Sequence, residues 1–284
     1  MSQRFAGSRF VQIPDGRDGQ AACWWMYPTD EPSRAVSIGP YPMTLSADAP
    51  VADGRFPVVV ISHGSGGSHL LYRTIASRLA QHGFVVVMPE HPGNNRNDNS
   101  LASSDENLVH RPQQIVRALD AVHADPELGP RLSDHTGMVG HSIGAYTALA
   151  VAGGRPSSRT GTLIEVVSDP RVTALVLLAP VAFWYVPEGA LRDVDAQILI
   201  FGGEADTGAP AWHAHLIMAQ VPDPSKVDYR LVPRAGHYSF LSPFPAAMKN
   251  PAFLPSVDLD GFDRAAFHDN LGIQVHEFFD RTLL

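Results

Sequence analysis

A chain of 284 residues, 44% hydrophobic and 18% charged, can bury a sizeable core, which excludes intrinsic disorder. Its 29 acidic against 21 basic residues give a formal charge of −8, which argues against nucleic acid as a partner, because that would meet a basic face. No apolar run is long enough for a membrane span, and the single cysteine, Cys23, excludes an internal disulfide or a zinc site built on several thiolates.

In chain order, residues 1–10 lack the apolar stretch of a secretory signal, so cytoplasmic residence is the expectation. The first ~50 residues, rich in Pro and in turns around 21–27, predict antiparallel edge strands leading into the sheet. A buried-type strand follows at 56–62 (FPVVVIS), then a glycine turn at 63–68. Leu71, Ile75 and Leu79 share one face of a helix predicted over 70–82 and stopped by Gly83. The next strand is 84–88, and a helix over 112–124 carries Ile115, Leu119 and Val122 on its apolar side.

The alternation then continues. Strands are predicted at 136–139, 172–178, 197–201 and 227–232, with a small-residue helix at 144–152 and a last helix at 265–283. The last helix places Phe267, Leu271, Val275 and Phe278 at helical spacing. Continuous apolar strands alternating with helices specify an α/β class: a mostly parallel sheet covered on both faces, read as one domain over 1–284. Two polar stretches, 94–107 and 242–263, exceed the usual connection length and are expected to be lid or binding loops. Only about 15 residues separate two strands at 181–195, too few for a large helical cap.

The chemistry centres on Gly140-His141-Ser142-Ile143-Gly144, a G-x-S-x-G that follows a predicted strand and opens a predicted helix. The strained turn of such an elbow leaves no room for side chains two residues either side of the serine. It also sets Ser142 at a helix N-terminus, where N–H groups favour developing negative charge. A serine hydroxyl needs a base. Among 13 histidines His237 is favoured, because it ends a strand on the same edge of the sheet. His268 and His276 lie within a helix and are expected at the surface. His213 and His215 are two apart with no carboxylate at ligand spacing, so no metal site is expected there.

The orienting acid should also follow a strand. Asp206 does, and it lies between Ser142 and His237 in the chain, the order this architecture uses. Glu204 is the nearest rival, and Asp169 precedes a strand at the wrong end. The oxyanion hole is expected from the backbone N–H groups of Ile143 and of Ser65 in the loop at 63–67. That loop lacks the third glycine of a dinucleotide fingerprint, since the position is His69. Each feature alone has a plain structural reading: a tight turn, a core histidine, a helix cap. Together, in order and at strand ends, they point to catalysis.

The segments SHGSGGS (62–68), GFVVV (83–87), GHSIG (140–144), GGEAD (202–206) and AGHYSFL (235–241) resemble those of α/β-hydrolases. The resemblance is to predicted dienelactone hydrolases related to platelet-activating-factor acetylhydrolase, and it covers the chain from about residue 21 onward. It implies a Ser142–Asp206–His237 triad with Ser65 and Ile143 as oxyanion donors. The chain departs from dienelactone hydrolases in carrying serine where they use cysteine. It departs from the acetylhydrolases in having no acid after the strand at 172–178, where they take theirs.

The expected reaction is acyl transfer to water from a short-chain carboxylic ester or lactone, a small-molecule substrate handled with no metal or organic cofactor. Trp184 and Tyr185, after a strand end, and His91 are the candidates for substrate contact, although the two aromatics serve equally as core anchors. The alternatives are an acyltransferase or amidase using the same triad, or a non-catalytic binding protein of this fold.

Overall fold

In the computed structural model, which describes residues 4–17 and 19–284, the chain opens with strands β1 (Phe5–Pro14), β2 (Gln20–Thr29), β3 (Arg34–Ile38) and β4 (Tyr41–Ala47). The alternating part follows: β5 (Phe56–Ser62), α1 (Arg73–Gln81), β6 (Val85–Pro89), α2 (Asp105–Ala124), β7 (Leu132–His141), α3 (Ile143–Val151) and β8 (Val172–Leu178). It ends with β9 (Gln197–Gly203), α4 (Trp212–Gln220), β10 (Val227–Val232) and α5 (Arg264–Leu283). The strands lie side by side in the order β10-β9-β8-β7-β5-β6-β2-β1-β4-β3.

From β10 to β6 every pairing is parallel. At the centre of the sheet β5 and β6 are Val-rich and buried throughout because both faces are covered, whereas the edge strand β10 leaves Asp228 and Leu231 exposed. Within β5, Val58 and Val60 enter one core with Ile115, Leu119 and Val122 of α2. Val59 and Ile61 enter the other core, with Ile75 and Leu79 of α1 and Leu271 and Val275 of α5. The period of two along the strand thus feeds two helical layers. The N-terminal strands extend the sheet antiparallel, β2 against β6 and β1 against β2, as expected of edge strands. The exception is a short parallel contact of β1 with β4, pairing Gly7 with Ser46 and Ser8 with Ala47.

Helix α1 stops where the sequence said it would. Gly83 has φ +95°, and the N–H of Phe84 returns to the Leu79 carbonyl at 3.1 Å, closing a Schellman turn. Helix α2 instead begins seven residues before the expected start. Ser104 caps it, accepting the Asn107 N–H at 3.1 Å, and Asp105 and Glu106 sit in the first turn. Pro112, expected at the helix start, lies inside α2, where its missing N–H leaves the Leu108 carbonyl without a helical partner. The Tyr146 hydroxyl of α3 donates to that carbonyl at 3.0 Å. The connection from β8 to β9 holds a single 3-10 turn, Phe183–Tyr185, and no cap. Among the described residues no helix is long and apolar enough to cross a membrane.

Candidate active site

Ser142 connects β7 to α3 with φ +56° and ψ −120°, a conformation that costs a non-glycine residue on the order of 1–3 kcal/mol. Neighbouring strand ends hold it there: the Ser142 N–H donates to the Leu178 carbonyl at 3.0 Å, and the Ser142 carbonyl accepts the Val181 N–H at 3.2 Å. The flanking glycines are required by close approach. A Cβ on Gly140 would overlap the Gly144 carbonyl, and one on Gly144 would overlap the Ser62 carbonyl oxygen.

His237 begins a 3-10 turn after β10, and its Nε2 lies 3.0 Å from Ser142 Oγ. Its Nδ1 lies 2.8 Å from Asp206 Oδ2, beyond the end of β9. The other Asp206 oxygen accepts the N–H groups of Gly208 and Ala209, both at 2.8 Å. Burial opposes ionisation of Asp206, but the His237 bond and these two N–H groups outweigh it and hold the carboxyl below its usual range. An ionised Asp206 can only accept, so Nδ1 of His237 carries the proton and the Nε2 lone pair faces the serine hydroxyl. The rival acids are engaged elsewhere. Glu204 is exposed and accepts the Arg234 N–H at 2.9 Å, while Asp169, before β8, pairs with Arg171 at 2.5 Å.

Ser65 and Ile143 border the same cavity as Ser142. Ile143 is the first residue of α3, so its N–H is among those a helix leaves without an internal partner. Ser65 lies in the glycine turn after β5, where Gly66 takes φ +60° and the Gly67 N–H returns to the Gly64 carbonyl at 3.0 Å. A relay that the sequence did not reveal joins this turn to the histidine. The Gly64 N–H donates to the Tyr72 hydroxyl at 3.3 Å, and that hydroxyl lies 3.0 Å from His141 Nδ1. His141 Nε2–H then donates to the His237 carbonyl at 2.9 Å. Burial, and next the neighbouring His237, bring the His141 pKa down to about 3, so the ring stays neutral as this pattern needs.

Two cavities flank Ser65. The one beside Ser142, of about 290 Å³, is lined by Ile143, Val181, Phe183, Trp184 and Arg159, with Ser103 and Ser104 from the polar stretch and Asp105 at the start of α2. Phe183 and Trp184 stack there at 3.8 Å, and the Arg159 guanidinium lies over Phe183. The other, of about 500 Å³, is walled by Tyr41, Leu71, Tyr238, Leu241, Met248 and Phe253, the last two from the segment 242–263.

Three expectations need correction. Tyr185 does not reach a cavity: it is fully buried and its hydroxyl donates to the Tyr146 carbonyl at 2.9 Å. Consecutive residues of a 3-10 turn point about 120° apart, so the turn that gives Trp184 to the cavity sends Tyr185 into the core. His91 is also fully buried beneath the glycine turn, with its Nδ1–H on Gln114 Oε1 at 2.7 Å and its Nε2 on Ser62 Oγ at 2.9 Å. His268 lies inside the protein rather than on its surface, between Thr74 Oγ1 at 3.0 Å and the Ser239 carbonyl at 3.1 Å. His213 is buried with its Nδ1 accepting the Ala182 N–H at 3.1 Å, whereas His215 is exposed. Among the described residues no three of His, Cys, Asp or Glu gather as a metal site would need.

Comparison with known proteins gives this geometry its relatives. The family model described as Chlorophyllase matches residues 27–195, more than half of the chain. The bis(hydroxyethyl) terephthalate hydrolase of Streptomyces coelicolor is 28% identical over 198 residues, 69% of this chain and 55% of its own length. Chlorophyllase-1 of Arabidopsis thaliana is 28% identical over 167 residues, 55% of this chain and 44% of its own. Esterase YjfP of Escherichia coli is 30% identical over 182 residues, 56% of this chain and 72% of its own. The chain spans about half the length of the first two. A ferulic acid esterase from Streptomyces cinnamoneus shares the fold, with a TM-score of 0.73 at 19% identity over 99% of this chain and 90% of that one. The expected α/β-hydrolase architecture therefore holds, and the chain belongs to the chlorophyllase family within it.

Proposed function

We propose that the protein hydrolyses carboxylic esters through an acyl-enzyme on Ser142. One observation carries the reading: an unbroken hydrogen-bonded series from Ser142 Oγ through His237 to Asp206, at 3.0 and 2.8 Å. His237 Nε2 takes the hydroxyl proton as Oγ bonds to the ester carbonyl carbon, and the oxyanion forms against the N–H groups of Ser65 and Ile143. The tetrahedral centre collapses, the C–O bond to the alcohol breaks, and His237 returns its proton to the departing oxygen. Water, deprotonated by the same nitrogen, then releases the acid and restores Ser142. Asp206 keeps the imidazole tautomer correct and stabilises its charged form.

The acyl part is assigned to the cavity of about 290 Å³, which suits a short chain, a lactone or one aromatic ring against Phe183 and Trp184. The alcohol leaves on the side of His237, toward the cavity of about 500 Å³ whose wall includes the next residue, Tyr238. Residues 94–107 and 242–263 would act as lids over these two cavities. Bis(hydroxyethyl) terephthalate, named for one relative, is a compact aromatic ester and a natural second substrate to try. Residence in the cytoplasm is part of the same reading, and cell fractionation tests it.

The test is a p-nitrophenyl ester series from acetate to decanoate, with wild type and Ser142→Ala, alongside fluorophosphonate labelling. The expected result is a short-chain optimum, with turnover in the variant reduced by at least about 10⁴-fold. A wild type inert to every ester and to the label removes the reading.

A further inference from the structure

Arg111 is fully buried in α2, beneath the glycine turn, and the mechanism above gives it no part. Its partners are all neutral oxygens. Nη1 donates to Asn94 Oδ1 at 2.7 Å, and Nη2 to Ser62 Oγ at 3.1 Å and to the His63 carbonyl. Nε donates to Thr147 Oγ1 at 3.0 Å. Burial lowers its pKa to about 9, so it remains a cation at neutral pH. A buried cation held by dipoles alone is costly, and an apolar side chain of the same size would avoid that cost. A functional reason for the guanidinium is therefore required.

The acceptors supply that reason, because Ser62, His63 and Thr147 belong to the two separate pieces of chain that carry the oxyanion donors, and Asn94 from the loop after β6 reaches one of them. Ser62 and His63 lead directly into Ser65, and Asn94 donates through Nδ2 to Ser65 Oγ at 2.9 Å. Thr147 stands one turn beyond Ile143 in α3 and donates its own hydroxyl to the Ile143 carbonyl at 3.1 Å. We propose that Arg111 is the positioning residue of the oxyanion hole, its planar guanidinium tying the turn that bears Ser65 to the helix start that bears Ile143. The inference rests on the ester-hydrolase reading of that site. A lysine cannot replace it, since one ammonium nitrogen cannot span acceptors on both sides. The residue touches no reacting atom. It fixes the separation of two N–H groups that must converge on a single oxygen, where a small misplacement is felt mainly in the transition state.

The experiment uses the full chain and the p-nitrophenyl ester that wild type turns over best. Arg111→Met, Arg111→Lys and Thr147→Val are compared in kcat, KM, melting temperature and affinity for phenylboronic acid, whose tetrahedral serine adduct mimics the oxyanion. The expected result is a fall in kcat of roughly 10²-fold for both Arg111 variants with KM within about threefold, and boronate affinity falling with kcat. Thr147→Val, which cuts the tie to α3 together with the hydroxyl's own bond to the Ile143 carbonyl, should lose on the order of tenfold in kcat. A purely structural role would lower the melting temperature and leave the kcat of folded enzyme unchanged, which overturns the proposal, as does full activity in Arg111→Lys. Should the Arg111 variants fail to fold, an unchanged kcat in Thr147→Val overturns it. An active wild type with unaffected variants removes this inference alone, whereas a wild type inert to esters and to fluorophosphonate removes the hydrolase reading beneath it.

Discussion

Gly144 faces the Ser62 carbonyl oxygen with no space for a methyl group, and backbone stands on both sides of the gap. Gly144→Ala must therefore move either α3 or the end of β5, and with it Ile143 or Ser65. We expect a loss of about 1–3 kcal/mol in stability and at least about 10²-fold in kcat, read by urea unfolding and ester turnover. A variant with wild-type turnover would show that the elbow tolerates a shift. This steric demand is why Ser142 could be found from sequence: the turn admits few residue types, and the serine between its glycines is visible as a string. His237 and Asp206 were found by a second rule, that chemistry gathers at strand ends. Tyr72 obeys neither rule, and His141, although it ends β7 inside the same motif, takes its role from contacts between segments far apart in the chain. Arg111 did leave a trace. It sits four residues before Ile115 and eight before Leu119, so it occupies the apolar stripe of its own helix, where a charge is unexpected. Tyr185 and His91 were misjudged because nearness to a strand end does not fix the direction of a side chain.

At the scale of elements, the parallel strands and the Gly83 stop were legible because periodicity and glycine report on local structure. The start of α2 was not. Pro112 resembles a first-turn proline, and only the hydroxyl of Tyr146, from another helix, makes it tolerable seven residues further in. Helix α4 was missed outright: its polar His213 and apolar Ala214 and Ile217 are buried together, which blurs the helical stripe. The α2–α3 contact, which Arg111 and Thr147 also bridge, can be tested at the Tyr146 hydroxyl. Tyr146→Phe keeps the ring, which packs on Trp184 and Tyr185, and strands the Leu108 carbonyl inside the protein. The cost should be about 1–3 kcal/mol in urea unfolding, the penalty for an unpaired buried acceptor. A change within a few tenths of a kcal/mol would mean that the carbonyl finds another donor.

For the molecule as a whole, acid is the condition that should matter most, because several of its histidines are on the inside. His63, His91, His141 and His268 are all buried, and burial is the leading cause that lowers each pKa from the usual 6.5. For His63 and His91 the Arg111 cation adds to it. The values reach about 3 for His141 and about 4 for His268. A base whose folded pKa is depressed binds its proton more readily when the chain is unfolded. Stability is therefore whole above pH 6.5 and drains as pH falls from there toward the folded pKa. Each such histidine adds a slope approaching roughly 1.4 kcal/mol per pH unit. Between pH 7 and 5 most carboxylates stay ionised, so the slope there belongs chiefly to histidine. Denaturant unfolding at half-unit steps should show stability flat above neutrality and falling steeply below about pH 6.5, with a slope of more than one proton. In His268→Gln the amide can still meet Thr74 and the Ser239 carbonyl, but it cannot take up a proton. Whatever its stability at pH 7.5, its acid slope should be shallower by up to about one proton. An identical slope in that variant would place the acid sensitivity elsewhere.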